Sequence, residues 1–235
     1  MSDQPVADLL RQRLDSVESR IRAACDRANR PRADVTLVAV TKTVGSATAA
    51  LLPALGQLEL GESRPQELWS KAAALPGAVR WHMIGNLQRN KVERTLPLVQ
   101  LIHSVDSPRL LEALEAEAQQ QQRTLDVLLE VNASREASKH GFTAAEVAPL
   151  APVINALKAV RVRGLMTMAA PADDPEQCRP TFAELRRLRD RLRAELAPPH
   201  DLVHLSMGMS DDFEIAIEEG ATLIRLGSVL FAGMT

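Results

Sequence analysis

The chain has no tyrosine, two cysteines, and aromatic residues at only 3% of its length. Without tyrosine, no phenol can serve as an acid or base in any mechanism. Cys25 and Cys178 lie far apart and form neither a CxxC pair nor a disulfide framework, which suits a reducing, cytoplasmic setting. No apolar run is long enough to span a bilayer. Residues 1–10 carry Asp3 and Asp8 and lack the charged-then-apolar pattern of a secretion signal, so neither export nor a membrane is expected. Net charge is −2 and no long basic block stands out, which argues against a nucleic-acid partner. Walker, GxGxxG, GxSxG and HExxH motifs are all missing. No Gly-, Ser- or Pro-rich linker divides the 235 residues, and no repeat recurs, so a single domain over 1–235 is expected.

What is present is a strict alternation. The first thirty residues read as a helix, with Leu9, Leu10, Leu14, Val17, Ile21 and Ala24 on one face and Pro31 as its stop. Eight short apolar runs follow: Val35–Thr41, Leu58–Gly61, Arg80–Ile84, Leu101–Val105, Leu125–Val131, Val162–Met166, Leu202–Leu205 and Leu223–Leu226. Amphipathic stretches separate them, at about 46–56, 65–75, 87–97, 107–122, 143–157, 174–196 and 211–219. Near-continuous apolar strands between helices imply a parallel sheet covered on its faces. Eight of them in this length fit a single α/β domain, a (β/α)8 TIM-type barrel with an additional N-terminal helix. An open doubly wound sheet is the alternative.

In such a barrel the site forms where strands end. Lys42 follows the run 37–41 directly. At a barrel mouth, desolvation would lower its pKa and free the amine to attack an aldehyde. Position alone favours the plainer reading, a lysine reaching out to solvent. Near the C-terminus, Ser210 precedes the acidic start Asp211-Asp212-Phe213-Glu214 and reads as an N-cap. A hydroxyl at a helix start also suits a phosphate. Gly227 and Ser228 after the last run add a close backbone approach and a second hydroxyl. Arg225 lies inside that run, on the strand face it shares with Gly227. A salt bridge from Arg225 to Glu62 or Asp106 is the bland account of it. His82 and His204 read as buried, hydrogen-bonded barrel histidines rather than bases. Met83, Met166, Met168, Met207 and Met209 read as packing rather than metal ligands. Arg89 and Lys91 read as a solvated helix face.

Seven segments together resemble a known family. They are LVAVTKT (37–43), GESRPQE (61–67), WHMIGNLQRNK (81–91), SVDS (104–107), LLEVNASREASKHGF (128–142), VRGLMTM (162–168) and LSMGMSDDFEIAIEEGATLIRLGSVLF (205–231). They resemble the YggS/PROSC family of pyridoxal 5'-phosphate (PLP) homeostasis proteins, whose barrel is similar to the alanine racemase N-terminal domain (PLP fold type III). The resemblance implies a PLP-binding protein of vitamin B6 and amino-acid homeostasis without established turnover. It implies PLP as cofactor, held as a Schiff base on Lys42, with phosphate contacts at Ser210, Gly227 and Ser228. Arg225 would face the pyridine nitrogen, and Ser63 would lie near the cofactor. The family usually reads GENYVQE, so Ser63 replaces an asparagine and Arg64 a tyrosine; the shorter serine would lose a contact to the cofactor or bridge it by water. Apo-PLP enzymes would be recipients of the cofactor, and the protein would be a monomer or weak dimer. A PLP-dependent racemase or lyase is the competing reading. Against it, alanine racemase pairs its lysine with a tyrosine and carries an added β domain, whereas this chain has no tyrosine and ends soon after its last strand. An aldolase-like barrel with a substrate on Lys42 is a further alternative, separable by the colour of the purified protein.

Overall fold

The structure, a computed structural model, describes residues 4–133 and 141–234. Eight strands close a barrel in the order β1 to β8: β1 Thr36–Val40, β2 Glu59–Glu62, β3 Arg80–Met83, β4 Val99–Val105, β5 Leu125–Glu130, β6 Val160–Met166, β7 His204–Ser206 and β8 Leu223–Leu226. Every neighbouring pair is parallel, and β8 closes on β1 with Val38 opposite Arg225 and Ala39 opposite Leu226. All eight apolar runs became strands, so the barrel displaces the open sheet. The seventh begins later than the run implied, because Leu202 is buried but has φ 44°, a left-handed conformation that ends extended backbone.

Alternation sorts each strand's side chains into two sets. Ala39, Ile102, Val127, Leu129, Leu165, Leu205, Ile224 and Leu226 point outward into a large core shared with the helices. Val38, Leu101, Leu128, Met166 and Leu223 form a second, smaller cluster. The same strand parity puts His103, Ser206 and Arg225 with that second set, inside the barrel.

The covering helices are less regular than the sequence implied. Pro65–Ala74, Pro108–Gln120 and Arg179–Arg193 are continuous, each with proline in its first turn, where no backbone donor is lost. The stretches 46–56, 87–97 and 143–157 break into pieces of three to five residues around Pro53, Pro97, Pro149 and Pro152. The N-terminal helix Gln4–Arg27 buries Leu10, Val17, Ile21, Ala24 and Cys25. Leu14 packs partly, and Leu9, assigned to the same face, is exposed. Burying each large side chain stabilises by about 1.5–3 kcal/mol. The helix lies against Phe213–Glu218 and Ser228–Phe231. Arg13 donates to the Leu230 and Ala232 carbonyls, and Arg30 to those of Ile217 and Ala221. These bonds satisfy carbonyls around the ends of both short helices.

Candidate cofactor site

Strand register brings the ends of β1 and β8 together. Thr41 and Lys42 continue from β1, and Gly227 and Ser228 from β8. A Cβ on Gly227 would stand 3.3 Å from the Val40 carbonyl, so glycine permits the close approach of the two chain ends. Ser210 joins them: its Oγ accepts from the Val229 N–H at 3.2 Å. A cavity of about 790 Å³ opens here, lined among others by Ser210, Ser228, Val229, Arg20 and Cys178. Its volume is ample for a small-molecule cofactor.

One expectation is corrected. Ser210 does not cap the acidic helix. That helix starts at Phe213, after Asp212, and no side chain caps it. The hydroxyl is instead turned toward the start of Ser228–Phe231, and Asp212 accepts from the Met209 N–H at 2.6 Å. Lys42 is exposed, as the plainer reading of its position had it, and does not line the cavity. Ser63 is half-buried and Arg64 exposed. The Ser63 backbone lies so close to Gly85 that any side chain at residue 85 would collide with the Ser63 carbonyl.

Arg225 is buried within the barrel. Nη1 donates to Ser206 Oγ at 2.5 Å and Nη2 to the Thr167 carbonyl at 2.9 Å. Burial pushes the guanidinium down to about 10, against the attraction of Glu130 and Asp212, so it stays charged at neutral pH. The salt bridges weighed for it are not made. Glu62 is paired with Lys71, and Asp106 accepts from Asn86.

The Glu62–Lys71 pair carried no signal in the sequence. Lys71 sits on the helix Pro65–Ala74, where alternation of polar and apolar residues gives no sign that a lysine points inward. Its Nζ lies 2.5 Å from Glu62 Oε1 and 2.7 Å from the Thr41 carbonyl, and Thr41 Oγ1 donates to Glu62 at 2.6 Å. Residue 41, next to Lys42, is thereby held on both its carbonyl and its side chain. The histidines behave as expected of barrel histidines: His82 is hydrogen-bonded to His103 and Glu59, and His204 to Thr222. Met83, Met166 and Met207 are buried, and Met168 and Met209 exposed. Arg89 is exposed, while Lys91 lies over the Trp69 ring. Among the described residues no three His, Cys, Asp or Glu gather to hold a metal, and no helix is long and apolar enough to cross a membrane. Part of the 128–142 segment, residues 134–140, lies outside the described residues.

The family model described as alanine racemase, N-terminal domain, matches residues 12–234. A pyridoxal phosphate homeostasis protein from Aquifex aeolicus is 41% identical over 221 residues, covering 94% of this chain and 96% of that one. The chain belongs to the pyridoxal phosphate homeostasis branch of the alanine racemase N-terminal domain family. This family member is also 38% identical over 221 residues to the homeostasis protein of Pseudomonas aeruginosa, at 94% coverage of each. PipY of Synechococcus elongatus, solved with PLP bound, superposes on it with a TM-score of 0.82 at 34% identity, covering 95% of this chain and 100% of that one.

Proposed function

We propose that the chain binds PLP, holds it as a Schiff base on Lys42, and serves vitamin B6 and amino-acid homeostasis as a carrier rather than through turnover. The observation that carries this reading is the gathering of Lys42, Ser210, Gly227, Ser228 and Arg225 at one end of the barrel, in a fold whose relative PipY is solved with PLP. PLP offers three handles, an aldehyde, a phosphate and a pyridine nitrogen, and the residues present answer each. Lys42 supplies a primary amine at the strand end. The Ser210 and Ser228 hydroxyls lie on the cavity wall where a phosphate needs donors. Arg225 supplies a buried group that can only donate, suited to an unprotonated ring nitrogen.

Bound PLP supplies an electron sink, strongest when its ring nitrogen is protonated. The charge on Arg225 disfavours a second cation beside it and so weakens that sink. No tyrosine exists to serve as an opposing base. His82 and His204, the histidines weighed as its replacement, are tied to Glu59, His103 and Thr222. The exposure of Lys42 suits release of the cofactor to apo-PLP enzymes better than a sealed catalytic site.

Borohydride reduction of the yellow protein, followed by peptide mapping, tests the reading. PLP should be fixed on Lys42, and Lys42→Ala should lose the visible band. Reduction that fixes PLP mainly on Lys71, Lys91 or Lys158 would refute the assignment. Conversion of L- to D-alanine at enzymic rates would favour a racemase instead.

A further inference from the structure

A single file of polar side chains crosses the barrel interior. Arg225 Nη1 meets Ser206 Oγ at 2.5 Å, and Ser206 Oγ meets His103 Nδ1 at 2.8 Å. His103 Nε2 meets His82 Nδ1 at 2.8 Å, and His82 Nε2 meets Glu59 Oε2 at 2.8 Å. Glu59 Oε1 accepts from Arg80 Nε at 2.6 Å. Arg225 stands toward the cofactor end. Glu59 and Arg80 begin β2 and β3 at the opposite face, where both line a separate groove of about 370 Å³ with Glu18 and Arg32.

The end groups dictate the direction of the file. Arg225 can only donate and an ionised carboxylate can only accept. Burial works to raise Glu59, but its bonds from His82 and Arg80 hold the carboxyl below its usual value. His103 is neutral: burial pushes it well below the usual histidine value, and any charge on His82, Arg225 or His204 pushes the same way. Neutral His103 has one proton and two partners. With that proton on Nε2, every junction matches a donor to an acceptor. Arg225 gives to Ser206, Ser206 to His103 Nδ1, His103 to His82 Nδ1, and His82 to Glu59. With the proton on Nδ1, His82 would have to give its own Nδ1 proton to His103, and the Ser206 hydroxyl would lose its acceptor. Arg225 keeps its proton near neutral pH, so the file cannot conduct one out past it. The file orients instead.

We propose that Ser206, His103 and His82 are positioning residues for Arg225: a one-way hydrogen-bond chain anchored on Glu59 fixes the Ser206 hydroxyl as an acceptor and so sets the guanidinium toward the pyridine nitrogen of PLP. The coupling to PLP rests on the cofactor reading above; the direction of the chain does not.

Imidazole 15N spectra of the full chain free of PLP, taken near neutral pH, test the direction. Both rings should be in the Nε2–H form. Glu59→Gln should reverse them. Arg80 would hold the amide oxygen and leave the amide N–H2 for His82, which then accepts at Nε2 and pushes both protons to Nδ1. An Nδ1–H ring in the wild type, or unchanged tautomers in folded Glu59→Gln, would overturn the proposal. Absorbance titration with PLP tests the coupling. Arg225→Lys should alter the spectrum of the bound cofactor, and Ser206→Ala should shift it the same way and weaken binding about tenfold. No effect of Arg225→Lys would overturn the reading of Arg225 and the coupling with it. An effect of Arg225→Lys with none of Ser206→Ala would overturn the coupling alone.

Discussion

Two residues at this end of the barrel carry opposite kinds of consequence. Lys71 is 2% exposed and its partner Glu62 is fully buried. Removing one member leaves a buried charge with no counter-ion, which costs about 3–5 kcal/mol, whereas replacing both by apolar groups is often neutral. Lys71→Met should therefore lower the unfolding free energy by about that amount in urea titrations, and Lys71→Met combined with Glu62→Met should recover most of it. A single variant as stable as the double would mean that water relieves the pair. Ser210 is different, because its bond to the Val229 N–H is a single half-buried contact between neutral groups. Its larger effect belongs to the ligand: Ser210→Ala should weaken PLP binding by about tenfold or more while changing pyridoxal binding little. Equal losses for PLP and pyridoxal, measured by fluorescence titration, would show that Ser210 only steadies the start of Ser228–Phe231.

The elements were legible to the degree that their signal is local. Each strand is a short apolar run between polar ends, a pattern that burial on both faces imposes directly, and all eight could be read. Helix lengths were not, because an amphipathic period survives a proline that the backbone does not, as at Pro149 and Pro152. The site divides in the same way. Lys42, Ser210, Arg225, Gly227 and Ser228 follow or end strands, so topology alone assigns them to the same end of the barrel. Ser210's real partner could not, since capping its own helix and reaching the next loop need the same residue. Contacts that join distant segments left no trace at all. Glu115, on the helix Pro108–Gln120, accepts the N–H groups of Lys158, Ala159 and Val160 and pins the start of β6. In sequence it is one helix glutamate among several.

For the molecule as a whole, these polar contacts set how stability answers to pH. Burial holds His103, His200 and His204 below the ordinary value of 6.5 in the folded chain. Arg163 and His82 press His204 the same way, while Glu115 and Asp201 partly oppose the shift of His200. Each of these rings takes up a proton more readily when unfolded. Their contribution is therefore complete above 6.5 and is lost as pH falls toward the folded values. Burial works to raise Glu18, Glu59, Glu115, Glu214 and Glu218, but arginine, histidine or backbone N–H partners outweigh it and hold them below 4.5. They lose their contribution in the same direction, in a second window below 4.5. Asp212 runs the other way, since burial raises it and protonation favours its folded form. It is one group against eight. Cys25, raised above 9.0 by burial, keeps its contribution until pH climbs through that value. The melting temperature should thus be flat between 6.5 and 9.0, decline gently below 6.5, and fall more steeply below 4.5. Calorimetric scans across pH on the PLP-free chain would show this, and replacing His200 with an apolar residue of similar size should shrink the upper step and leave the lower one unchanged. A melting temperature that rises as pH drops from 6.5 to 4.5 would mean that the histidines are charged and partnered in the fold, contrary to the neutral chain through His103.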